Sequence, residues 1–110
     1  MSRVVDPTEM ACATGRELGH FARAHGWRAS GFIELAWSEA PERIDETLHL
    51  TAPNGLEVWL FLYDIAADGV PVRWRWCPLR GSDHGPWQDD LQALRNLIRD
   101  LGHIDLTEVA

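Results

Sequence analysis

Two turn signatures set the architecture this chain can adopt. In Ala52-Pro53-Asn54-Gly55, proline presets one dihedral and Asn-Gly tolerates positive φ, and Ala66-Ala67-Asp68-Gly69 makes a second turn. The runs around them alternate with period two. From Ile44 to Thr51, Ile44, Leu48 and Leu50 alternate with Asp45, Thr47, His49 and Thr51. Leu56 to Tyr63 is apolar on both faces, as expected of a central strand. From Val70 to Cys77, Val70, Val72, Trp74 and Trp76 alternate with Pro71, Arg73, Arg75 and Cys77. An earlier run, Phe32 to Trp37, opposes Ile33, Leu35 and Trp37 to Phe32, Glu34 and Ala36. Short connections between four such runs predict a four-stranded antiparallel meander.

A helix is expected on each side of the strands. Asp6-Pro7-Thr8-Glu9 has the order of a capping box with proline in the first turn, which predicts a helix over 7–25 ended by His25-Gly26-Trp27. Ala11, Gly15, Gly19, Ala22 and Gly26 form a small-residue stripe on it. Interior glycines cost a helix roughly 1 kcal/mol each, so the stripe predicts close packing of another backbone. Pro86 opens a second helix over 86–101, with Trp87, Leu91, Leu94, Ile98 and Leu101 at helical spacing and a tail over 103–110. The expected class is therefore α+β, one domain spanning residues 1–110 in the order α-β-β-β-β-α, both helices on one face. A length of 110 residues with 45% hydrophobic and 25% charged side chains fits one such domain.

All ten basic residues are arginine, against 17 Asp plus Glu, for a formal charge of −7. That balance argues against direct binding to nucleic acid or to an anionic membrane. Arg73-Trp74-Arg75-Trp76 has the residue types of a single-strand binder, but period two sends the tryptophans and the arginines to opposite faces. The topology gathers Asp6, Glu9, Glu39, Glu42, Asp45, Glu46, Asp64 and Asp68 at one end of the sheet, joined by Asp100, Asp105 and Glu108 from the second helix and tail, opposed by Arg3, Arg43 and Arg99, with Arg16 and most other arginines at mid-height or below. An acidic cap of this kind concentrates a basic partner and speeds encounter.

The helices are expected to cover the face bearing Ile33, Leu48, Leu60 and Val72. The opposite face then holds Trp59, Phe61 and Tyr63 in a row on a central strand beside Arg73 and Arg75. Aromatic and arginine side chains anchor interfaces, so this face is expected to receive a partner or a second copy of the chain.

Organised reaction chemistry is not expected. The sequence has no glycine-rich phosphate loop, nucleophile elbow or H-E-x-x-H. His20 and His25 are five apart, the wrong spacing for two ligands on one helical face. Ser82-Asp83-His84 has acid, base and nucleophile types, but adjacent side chains in a glycine-rich loop rarely converge. Cys12 and Cys77 lie far apart without a CxxC, which suits thiols in a reducing cytoplasm. No signal peptide is expected, and the apolar run 58–63 is far too short to span a membrane.

These features predict a non-enzymatic protein without catalytic residues, metal or cofactor. It would bind and occlude a basic surface on a protein partner, one that itself holds nucleic acid. Phage anti-CRISPR inhibitors and toxin-immunity proteins are functional analogues of such an acidic antagonist. Two alternatives remain. The layout with acids at one end resembles that of frataxin, which implies a metal- or small-ligand-binding module. A secretion-chaperone-like homodimer would use the sheet or a helix face.

Overall fold

A computed structural model describes residues 3–35, 43–80, 83–84 and 87–100. The order is β1 (Arg3–Val5), a 3₁₀ turn (Pro7–Glu9), α1 (Ala13–Ala24), β2 (Arg28–Leu35), β3 (Ile44–Thr51), β4 (Glu57–Ile65), β5 (Arg73–Arg80), β6 (Asp83–His84) and α2 (Leu91–Asp100). All neighbouring strands pair antiparallel in the order β1-β2-β3-β4-β5-β6. The expected α+β meander is present, but with five strands of three or more residues and a two-residue pairing at the far edge, not four strands. Strand β1 is too short to show a period, and it enters by pairing Val5 with Gly31. Strand β2 begins at Arg28, earlier than expected, because Ala29 and Gly31 face the core without looking apolar. Strand β5 begins later, at Arg73, so Val70 and Val72 precede it and are 61% and 62% exposed. Val72 is therefore not on the covered face.

The two hairpin turns use one chemistry twice. Gly55 N–H donates to Ala52 O at 2.9 Å and Leu56 N–H to the Asn54 side chain at 3.0 Å. Gly69 N–H donates to Ala66 O at 2.9 Å and Val70 N–H to the Asp68 carboxylate at 2.9 Å. Both glycines have positive φ, 89° and 75°. Gly69 is doubly constrained, since a Cβ there would lie 2.7 Å from Ala11 O.

The first helix is shorter than expected. After the 3₁₀ turn capped by Asp6, the chain straightens at Met10 (ψ 144°) and α1 starts at Ala13. Met10 leaves the helix because it fills a slot in the core, 2% exposed, where a Cβ on Gly15 or Gly31 would meet it at 2.6 or 3.0 Å. A Cβ on Gly19 would meet the Pro7 ring at 2.6 Å. The small-residue stripe thus receives the side chains of the preceding segment, and not the separate backbone expected from sequence. At its other end α1 closes with Gly26 N–H on Arg23 O and Trp27 N–H on Ala22 O, both at 3.0 Å. This is the Schellman arrangement.

Helix α2 starts at Leu91, later than expected, because the Asp90 carboxylate accepts from Gln92 and Ala93 N–H. Upstream of it, Gln88 exchanges backbone hydrogen bonds with Trp76, and the Trp74 and Trp76 indoles donate to Asp89 O and Asp90 O. Both helices share one core with Leu48, Leu50, Val58, Leu60, Leu62 and Trp76, in which Leu18, Ala22, Leu94 and Ile98 are fully buried. The buried Trp27 indole ties them by donating to Ile98 O at 3.0 Å.

Candidate functional site

Strand pairing lays the open face of the sheet out in rows. Glu34 pairs with Asp45, and Tyr63 with Arg73. The next row is Phe32, Thr47, Phe61 and Arg75, and the one after it Ser30, His49, Trp59 and Cys77. In these three rows acids stand on β2 and β3, aromatics on β4 and arginines on β5; the row beyond adds Arg28 on β2 and Glu57 on β4. The expected grouping of Trp59, Phe61, Tyr63, Arg73 and Arg75 is present on one face.

A depression of about 340 Å³ occupies the acidic side, with Phe32, Trp59, Phe61 and Tyr63 and the acids Glu34 and Asp45 in its lining. Its rings are ordered by contact. Phe32 lies 6.0 Å from Trp59, His49 stacks on Trp59 at 4.0 Å, and Phe61 lies 6.3 Å from Tyr63, nearly parallel to it. His49 Nε2 lies 2.9 Å from Glu57 Oε1, which places that acid at the far end of the face.

The basic side is built from stacked guanidiniums. Arg73 lies over the Tyr63 ring at 4.6 Å and Arg75 over Trp87 at 4.2 Å, while Arg75 Nε donates to the Tyr63 hydroxyl at 2.9 Å. Neither arginine has a carboxylate ion-pair partner among the described residues. Trp87 was expected in the second helix. It instead precedes α2, sits 5.5 Å from Phe61 and is 44% exposed. With Trp59 and Phe61 it encloses Cys77 in an apolar pocket of about 300 Å³. Burial there pushes the Cys77 thiol up, against the opposing charge of Arg75.

The expected acidic cap divides by role. Glu39, Glu42, Asp105 and Glu108 lie outside the described residues, as do Ser82 and the side chains of Asp83 and His84. Glu46 is 1% exposed and is a correction to the sequence reading: its two oxygens accept from Ala11 and Cys12 N–H, each at 2.8 Å. It caps the start of α1 from a neighbouring strand, where a negative charge also suits the helix dipole. Its parity with Leu48 and Leu50 is the signal that places it on the covered face. Asp45 points the other way. One oxygen accepts from Asp64 N–H at 2.9 Å, which holds the bulge where Asp64 has φ 53°. Asp68 braces its own turn and is exposed.

Another charge at this end is also engaged. Arg16, expected lower down, donates to Met10 O and Ala11 O beside the cap. Asp6, expected at this end, lies instead at the far end of α1, paired to Arg23 at 2.6 Å beside Ala29, and that guanidinium together with Thr8 holds its carboxyl well below the usual carboxylate range.

Among the described residues, no three His, Cys, Asp or Glu side chains are grouped to hold a metal ion. Cys12 and Cys77 are buried and are not joined in a disulfide. No described helix is long and apolar enough to cross a membrane. No protein-family model, curated protein or solved structure matches the chain.

Proposed function

We propose that this chain is a non-enzymatic binding protein that captures an arginine- or lysine-bearing surface of a protein partner on the open face of its sheet. The observation that carries the reading is the aromatic depression that Glu34 and Asp45 help to line. A cation over such rings gains from their quadrupoles, and carboxylates within reach add charge-assisted hydrogen bonds. The acidic partner-binding role expected of the cap thereby rests on Asp45, joined by Glu34 of the open face, with Asp64 and Asp68 contributing long-range attraction and not contact. The net charge of −7 favours encounter with a basic partner. Binding here would occlude the partner's basic side chains from nucleic acid, the action of an anti-CRISPR-like or immunity-type antagonist. Two cysteines not joined in a disulfide suit a reducing cytoplasm as the place of action.

An oligo-arginine peptide titrated calorimetrically into the full chain tests this. Binding should weaken steeply with added salt and fall at least about tenfold in Phe61→Ala or Glu34→Gln. Absence of binding at low salt, or equal binding by both variants, would refute the reading.

A further inference from the structure

The charges at the acidic end of the open face are arranged so that its first row is complementary to itself, while the far row of Arg28, Thr51, Glu57 and Leu79 adds no like-charge contact under the same operation. Glu34 and Asp45 stand on β2 and β3, Arg73 and Arg75 stand on β5, and the β4 aromatics lie between. Three strand spacings, about 14 Å, separate Glu34 from Arg73. A twofold axis parallel to the strands reverses the order of strands and keeps the order of rows. A second copy turned about that axis brings its Arg73 over Glu34 and its Arg75 over Phe32. The same operation sets Tyr63 against Asp45, Phe61 against Thr47 and Trp59 against His49. A twofold axis along the rows would instead oppose arginine to arginine and acid to acid. Only the first arrangement pairs opposite charges, and as an isologous contact it makes each pair twice.

Both guanidiniums are already held in place, over Tyr63 and Trp87, and both lack a carboxylate partner among the described residues. Prior ordering lowers the entropy cost of forming a new ion pair. We infer that two copies of this chain pair through their open sheet faces, about an axis parallel to the strands, with Arg73 of each copy on Glu34 of the other. This rests on the reading of that face as a binding surface and names a second copy as an occupant. A basic partner would then have to displace that copy, and so would bind less tightly as the protein concentration rises.

Sedimentation equilibrium on the full chain tests the pairing. The wild type should show a monomer–dimer equilibrium. Arg73→Glu alone and Glu34→Arg alone should each weaken it at least about tenfold, because like charges then meet twice. Both positions are on the surface, so folding is not at stake. Mixing the two variants should restore association as a heterodimer, since every mismatch becomes a match. A wild type that stays monomeric, or single variants that associate as before, would overturn the inference. If that monomer still binds oligo-arginine with dependence on Glu34, the self-pairing fails and the binding reading stands; if it binds neither, both fail.

Discussion

Glu46 and Asp45 are neighbours in sequence and belong to opposite faces of the same sheet. Glu46 faces the helices and accepts with both oxygens from the backbone N–H groups of Ala11 and Cys12. Asp45 faces outward, uses one oxygen on a bulge and helps to line the aromatic depression. The covered face spends its polar groups on the fold. The open face carries rings and guanidiniums that stack on each other and are not sealed from water. Charge counted along the sequence cannot separate these roles, whereas strand parity can.

The contrast predicts where substitutions act. Glu46→Ala strips two hydrogen bonds to a carboxylate and leaves the Cys12 N–H buried and unpaired, so urea unfolding should show a loss of about 3 kcal/mol or more. Gly19→Ala should also destabilise, by about 1–2 kcal/mol, since the clash with the Pro7 ring outweighs the gain in helix propensity. On the open face, Trp87→Ala should leave stability within about 1 kcal/mol but uncover Cys77, which is 1% exposed, and raise its rate of reaction with a disulfide reagent. A Cys77 rate unchanged by that substitution would break the assignment of Trp87 to this face.

The smallest effect concerns pH. The Asp6 carboxyl is lowered by Arg23 and Thr8, so its contribution is present above the ordinary carboxylate pKa and is lost as pH falls toward the lowered value. The difference in melting temperature between wild type and Asp6→Asn should be small at neutral pH and should shrink below about pH 4. The pair is exposed, so added salt should shrink it too.

Much of the sheet was legible because hairpin chemistry and period two are local signals. Asn54-Gly55 and Asp68-Gly69 fixed both tight turns, and the alternation of Leu48 and Leu50, and of Trp59, Phe61 and Tyr63, fixed the faces. The errors arose where tertiary contacts override a local pattern. Trp87 keeps helical spacing with Leu91 and Leu94, yet Asp90 starts the helix after it and the Gln88 pairing carries Trp87 to the other face. Asp6 does cap, but the helix it promises is interrupted because Met10 packs against Gly15 and Gly31. The arginine stacking on Tyr63 and Trp87 was only half visible, since the partner of Arg75 lies twelve residues away.

The central claim is that the covered face folds the chain and the open face binds. Amide chemical-shift mapping by NMR during an oligo-arginine titration addresses it directly. The account predicts shifts concentrated at Phe32, Glu34, Asp45, Thr47, Phe61 and Tyr63, with α1 and α2 quiet. Shifts centred on the helices, or no shifts at all, would contradict it.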